Sequence, residues 1–117
     1  MKLDEMLSRI SVQTNQPEYK IGHRLCRGAS SYPSGHATVG TLMGIELANM
    51  LPEKRAQIMA RAWEFGHNRE VGGIHYPSDI EMGRIAGTVI AQTISTHPDF
   101  KVEFEAARAE LRAALGL

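Results

Sequence analysis

The sequence predicts an all-α protein, a bundle of about four to five helices. Apolar residues recur at three- and four-residue steps through most of the chain, and proline and glycine interrupt those runs at their ends. No segment alternates apolar and polar residues in the way a half-buried strand would. With 117 residues, 43% hydrophobic and 22% charged, residues 1–117 suit a single domain whose core is of moderate size.

Taken in order, Lys2 to Val12 predicts a short leading helix, Gln13 to Glu18 a polar turn, and Arg27 to Gly35 a loop rich in small residues. From Ala37 to Leu51, Val39, Leu42, Met43, Leu47, Met50 and Leu51 form one apolar face, and Pro52 stops the helix. Glu53 to Phe65 repeats the pattern with Ile58, Met59, Ala62 and Trp63, ahead of a loop-like Gly66-His67-Asn68. Trp63 reads as core packing rather than as a substrate wall with Met59 and Phe65. After Gly72-Gly73 a third helix starts near Pro77 and carries Met82, Ile85, Ala86, Val89 and Ile90. Gly83 with Gly87, and Gly40 with Gly44, form four-residue pairs that predict a close approach of the first and third helices. His97-Pro98-Asp99 breaks the chain before an amphipathic C-terminal helix over about 99–115, built on Phe100, Phe104, Ala107, Leu111 and Leu115, with a solvated outer face.

Charge narrows the function. The 13 basic and 13 acidic side chains cancel, which argues against broad attraction to nucleic acid or to an anionic membrane. An anion site must then be local. Cys26 is the single cysteine, so an internal disulfide and a cysteine-based zinc site are excluded. No stretch has the length of a membrane-spanning helix, and Met1 to Ile10 carries too many charges for a secretory segment. The chain reads as soluble, and its compartment is left open.

Three segments carry chemistry: Lys20 to Arg27, Tyr32-Pro33-Ser34-Gly35-His36, and Asn68 to Asp79. The second and third end where helices begin, and a helix start offers unpaired N–H groups and a positive dipole end to an anion. Lys20, Arg27 and Arg69 supply the positive charge that a phosphoryl group requires. An imidazole attacks phosphorus through one nitrogen only if the other donates a hydrogen bond that fixes the tautomer. Asp79 lies four residues after His75, one helical turn away, and suits that task. His36 then suits proton transfer to the leaving oxygen and from the attacking water. As a metal site His36, His75 and Asp79 are disfavoured, because the nearby cations oppose a divalent ion. Tyr32 and Tyr76 flank the two histidines and are assigned no catalytic role; His23 and His67 read as ordinary loop or surface residues, and Arg24 as solvated.

Together these segments resemble the signature of the type 2 phosphatidic acid phosphatase superfamily, which includes bacterial class A nonspecific acid phosphatases and, more distantly, vanadium haloperoxidases. Its pattern is K-x6-R-P, then P-S-G-H, then S-R-x5-H-x3-D; Lys20 and Arg27 keep the first spacing, Pro33 to His36 match the second, and Arg69, His75 and Asp79 keep the third. The resemblance implies a helical bundle of the acid phosphatase and haloperoxidase type. It also implies phosphate held by Lys20, Arg27, Arg69, Ser34 and the backbone of Gly35, with His75 as nucleophile, Asp79 as its partner and His36 as general acid. Gly28 stands where the family has proline, and Asn68 where it has serine.

The implied activity is metal-independent hydrolysis of small phosphate monoesters through a phosphohistidine, with no cofactor and with vanadate or phosphate able to occupy the site. By family analogy the compartment is periplasmic. The motifs span residues 20–87, and only residues 1–19 precede them where the family has a substantial helical region. The expectation is therefore an N-terminally shortened bundle whose exposed apolar face is covered by a second copy in a homodimer. Two rivals stand beside this reading: a vanadium-dependent haloperoxidase, and a non-catalytic phosphate-binding or interaction domain.

Overall fold

Proline or a small polar residue marks the start of three of the four described α-helices. The structure, a computed structural model, describes residues 32–117. Within them lie α1 (Gly35–Met50), a 3-10 turn (Pro52–Lys54), α2 (Arg55–Val71), α3 (Pro77–Ile94) and α4 (Pro98–Leu115), with no strand among the described residues. Ser34 caps α1, its hydroxyl accepting the Ala37 N–H at 3.2 Å. Both α3 and α4 open on proline, whose missing N–H is no loss in a first turn. The all-α expectation holds. The leading helix, the polar turn, and Lys20, Arg24, Cys26 and Arg27 lie outside the described residues.

Helix α1 is the centre of the packing, with α2 on one side and α3 on the other. On the α3 side, a Cβ added to Gly83 would stand 2.6 Å from the Ser34 carbonyl oxygen, and one on Gly87 would run into the Thr38 carbonyl oxygen. The two backbones therefore touch along this seam. On the α2 side, a Cβ on Gly40 would meet the Phe65 ring at 2.7 Å, and one on Gly44 the Ala62 methyl at 2.6 Å. The expected approach of α1 and α3 is real, but α3 alone supplies its glycines. Those of α1 turn to α2, because a glycine recess accepts a side chain or a backbone more readily than another recess.

Two expectations need correction. The second helix does not stop at Phe65; α2 runs through Gly66-His67-Asn68 to Val71. Gly66 is buried where α2 crosses the other helices, 3.4 Å by its would-be Cβ from the Ala37 methyl and 3.7 Å from Ile80 Cγ2. This packing offsets the roughly 1 kcal/mol that glycine costs a helix. Trp63 is not core: it is 53% exposed, stacked on His67 at 4.8 Å, with the Arg84 guanidinium 4.8 Å from its ring. Met59, Ala62 and Gly66 occupy the inward stripe of α2, and Trp63, one residue on from Ala62, is turned about 100° away from it.

Half of the buried apolar residues Ala37, Ala48, Leu51, Ile74, Ile80 and Ala91 are alanine, as close helix packing favours. An apolar groove of about 490 Å³ runs along α1 and α2, lined by Val39, Met43, Leu47, Ile58 and Phe65. Helix α4 buries none of its residues: of its expected apolar face Phe100, Phe104 and Leu111 are half-buried, while Ala107 and Leu115 are exposed, and the helix is tied back by Arg112, which donates to Glu53 at 2.8 Å and to the Met50 carbonyl at 3.3 Å. No described helix is long and apolar enough to cross a membrane.

Candidate active site

The starts of α1 and α3 are bound to each other. The Ser34 N–H donates to the Asp79 carbonyl at 3.0 Å, so the orphan N–H groups of two first turns converge on one end of the bundle. Ser34 itself is fully buried. Its oxygen accepts at the α1 cap, and a hydroxyl that accepts can still donate its proton. Gly35, the first residue of α1, is exposed, and a Cβ there would meet nothing within 4 Å among the described residues.

His75 reaches this end through the connection from α2. Gly73 adopts φ 71°, the left-handed region that favours glycine, and turns the chain so that the Ile74 and His75 N–H groups both donate to the Arg69 carbonyl, at 3.0 and 3.2 Å. The histidine is 5% exposed and Asp79 3%. His75 Nδ1 lies 3.3 Å from Asp79 Oδ2, which also accepts the Tyr76 N–H at 2.9 Å. An ionised carboxylate only accepts, so Nδ1 carries the proton and Nε2 keeps its lone pair. The four-residue spacing seen in the sequence is realised as a buried, oriented pair.

His36, in the first turn of α1, is exposed, and its ring centroid lies 5.8 Å from that of Phe65 at a tilt of 44°. Partial burial holds its pKa below the ordinary imidazole value, and the positive charge of Arg69, with that of His75 whenever its ring is protonated, pushes in the same direction. That coupling places Arg69 and His75 within electrostatic reach of His36. Arg69, in the last turn of α2, has its Nε buried without a hydrogen-bond partner among the described residues. A buried guanidinium donor without a partner is suited to an oxyanion.

The structure therefore brings Ser34, Gly35, His36, Arg69, His75 and Asp79 to one end of the bundle. Lys20 and Arg27, the other predicted phosphate ligands, lie outside the described residues. Sequence reasoning missed the Arg69 carbonyl as the anchor of His75, and it missed Phe65 beside His36. The signal for the latter was present: Gly40 lies one turn after His36 and marks where a large side chain presses on that face of α1.

Comparison with known proteins agrees with this geometry. Residues 6–102 match the model of the PAP2 superfamily. The chain is 39% identical over 104 residues to the non-specific acid phosphatase of Salmonella typhimurium, a stretch covering 82% of this chain and 42% of that protein. It is 38% identical over 104 residues to the acid phosphatase of Zymomonas mobilis, covering 88% of this chain and 39% of the relative. A non-specific acid phosphatase of Providencia stuartii is 32% identical over 80 residues, 68% of this chain and 32% of its own length. The chain thus spans between 32% and 42% of the length of these relatives. A family match over residues 6–102, with acid phosphatase relatives up to 39% identical over most of the chain, shows that this chain belongs to the PAP2 superfamily.

Proposed function

We propose that the chain hydrolyses small phosphate monoesters through a phosphohistidine on His75, without a metal. The observation that carries this is the buried His75–Asp79 pair, which leaves Nε2 as the free nitrogen beside two helix starts and the guanidinium of Arg69. The acid phosphatase relatives support the same reaction class.

In the first step, His75 Nε2 attacks phosphorus, an N–P bond forms, and the bond to the ester oxygen breaks. Protonated His36 gives its proton to that oxygen, and an alcohol leaves. Asp79 stabilises the positive charge that grows on the His75 ring. In the second step water attacks phosphorus, neutral His36 takes its proton, the N–P bond breaks, and inorganic phosphate departs. Arg69, the N–H of Gly35 and the hydroxyl of Ser34, with Lys20 and Arg27, neutralise the equatorial oxygens throughout. The cationic surroundings favour phosphate over a divalent cation, so a chelator is expected to leave turnover unchanged.

The test is a panel of phosphate esters run on the wild type and on His75→Ala together. The wild type hydrolyses them, vanadate inhibits it as a mimic of the five-coordinate state, and His75→Ala is inactive. Normal turnover of nitrophenyl phosphate by His75→Ala overturns the assignment. The homodimer belongs to the same proposal, supported by the apolar groove along α1 and α2. Sedimentation that finds only monomer at micromolar concentration removes it.

A further inference from the structure

We infer that Phe65, seated on Gly40, is a positioning residue for His36, holding its imidazole toward the site from across the α1–α2 seam. The inference rests on the proposed acid–base role of His36, and it adds a residue that none of the sequence motifs contains.

His36 and Gly40 are one helical turn apart and so present the same face of α1. Phe65 of α2 lies over both. Its ring is tilted against the imidazole at 5.8 Å between centroids, and its Cδ1 stands 2.7 Å from where a Gly40 Cβ would be. Glycine in a helix interior costs roughly 1 kcal/mol relative to alanine. At Gly40 that cost makes room for an aromatic ring to sit lower on α1 than any side chain would permit.

The ring has two consequences for an otherwise exposed histidine. It blocks the side-chain rotamers that would swing the imidazole off the end of the bundle. It also takes water from one side of the ring, in keeping with partial burial as the leading cause of the lowered pKa of His36. Among the described residues, the charged groups that bear on His36 are Arg69 of α2 and His75 of the α2–α3 connection. Neither is altered by replacing Phe65. Asp79 does for His75 with a hydrogen bond what Phe65 does for His36 with an apolar surface.

The experiment is a proton NMR titration of the histidines in the wild type, Phe65→Ala, Phe65→Leu and Gly40→Ala, with the His36 resonance assigned from its absence in His36→Gln. In Phe65→Ala the His36 pKa rises toward its ordinary value; Phe65→Leu restores part of the difference, and Gly40→Ala, which lifts the ring, moves His36 in the same direction. Kinetics accompany it: in Phe65→Ala kcat for alkyl phosphates falls roughly tenfold with KM little changed, whereas nitrophenyl phosphate, which needs no proton, is nearly unaffected. An unchanged His36 titration in Phe65→Leu and Gly40→Ala, both folded by circular dichroism, overturns the inference even if Phe65→Ala fails to fold. A shifted titration with no loss on alkyl phosphates leaves the contact standing and overturns instead the acid role of His36.

Discussion

The two seams of α1 are built on the same device and reach opposite results. Against α3, Gly83 and Gly87 let backbone lie on backbone, and the residues at that end, Ser34, His75 and Asp79, are buried and hydrogen-bonded. Against α2, Gly40 and Gly44 receive side chains, the seam opens into an apolar groove, and the histidine at its end is exposed. A glycine that admits backbone makes a fixed joint, whereas one that admits a side chain makes an adjustable one. His75, the proposed nucleophile, stands on the fixed joint, where attack would demand a set geometry. His36, the proposed acid–base group, stands on the adjustable one, where it would deliver a proton and later accept one.

The largest effect expected from breaking this contrast comes at the fixed seam. Asp79→Asn preserves shape, but the amide can donate to His75 Nδ1 and move the ring proton to the attacking nitrogen. Turnover should fall on the order of 10²- to 10⁴-fold, measured as kcat on nitrophenyl phosphate. Next is Gly87→Ala, whose methyl meets the Thr38 carbonyl and cannot be relieved by a side-chain rotation. Denaturant unfolding should show a loss of about 2 kcal/mol.

The pH profile probes the other seam. With its pKa held below the ordinary imidazole value of 6.5, His36 loses its proton on the acid side of that value as pH rises. The acid-catalysed first step should therefore decline there in kcat/KM for alkyl phosphates. Arg69→Gln removes one positive neighbour and should move that limb upward in pH, even as it weakens binding. The smallest effect belongs to Gly40→Ala. Its methyl meets a partly exposed ring that can shift, and alanine favours the helix by roughly 1 kcal/mol, so stability should change by less than about 1 kcal/mol. A large loss in Gly40→Ala, or none in Gly87→Ala, would erase the distinction between the seams.

What the sequence disclosed follows the range of the interactions involved. The His75–Asp79 pair spans four residues, so spacing alone carries it. The helix starts at Pro77 and Pro98 are equally local, set by the ring of proline itself. The run of α2 through Gly66 was not legible, because what holds that glycine in a helix is the contact with Ala37 and Ile80 from other elements. Trp63 was misread for a related reason: its four-residue step from Met59 suits a buried face, but Met59, Ala62 and Gly66 define the stripe that α1 covers. Phe65 was passed over because its part is defined only once α1 and α2 are side by side.

The account turns on the free nitrogen of His75. The most direct measurement is to mix the purified chain with a phosphate ester, quench at alkaline pH, where phosphohistidine survives, and map the phosphoryl group by mass spectrometry in the wild type and in His75→Ala. The account predicts an acid-labile adduct on His75 that is absent from the variant. A phosphoryl group on any other residue, or wild-type turnover by the variant with no adduct at all, would contradict it.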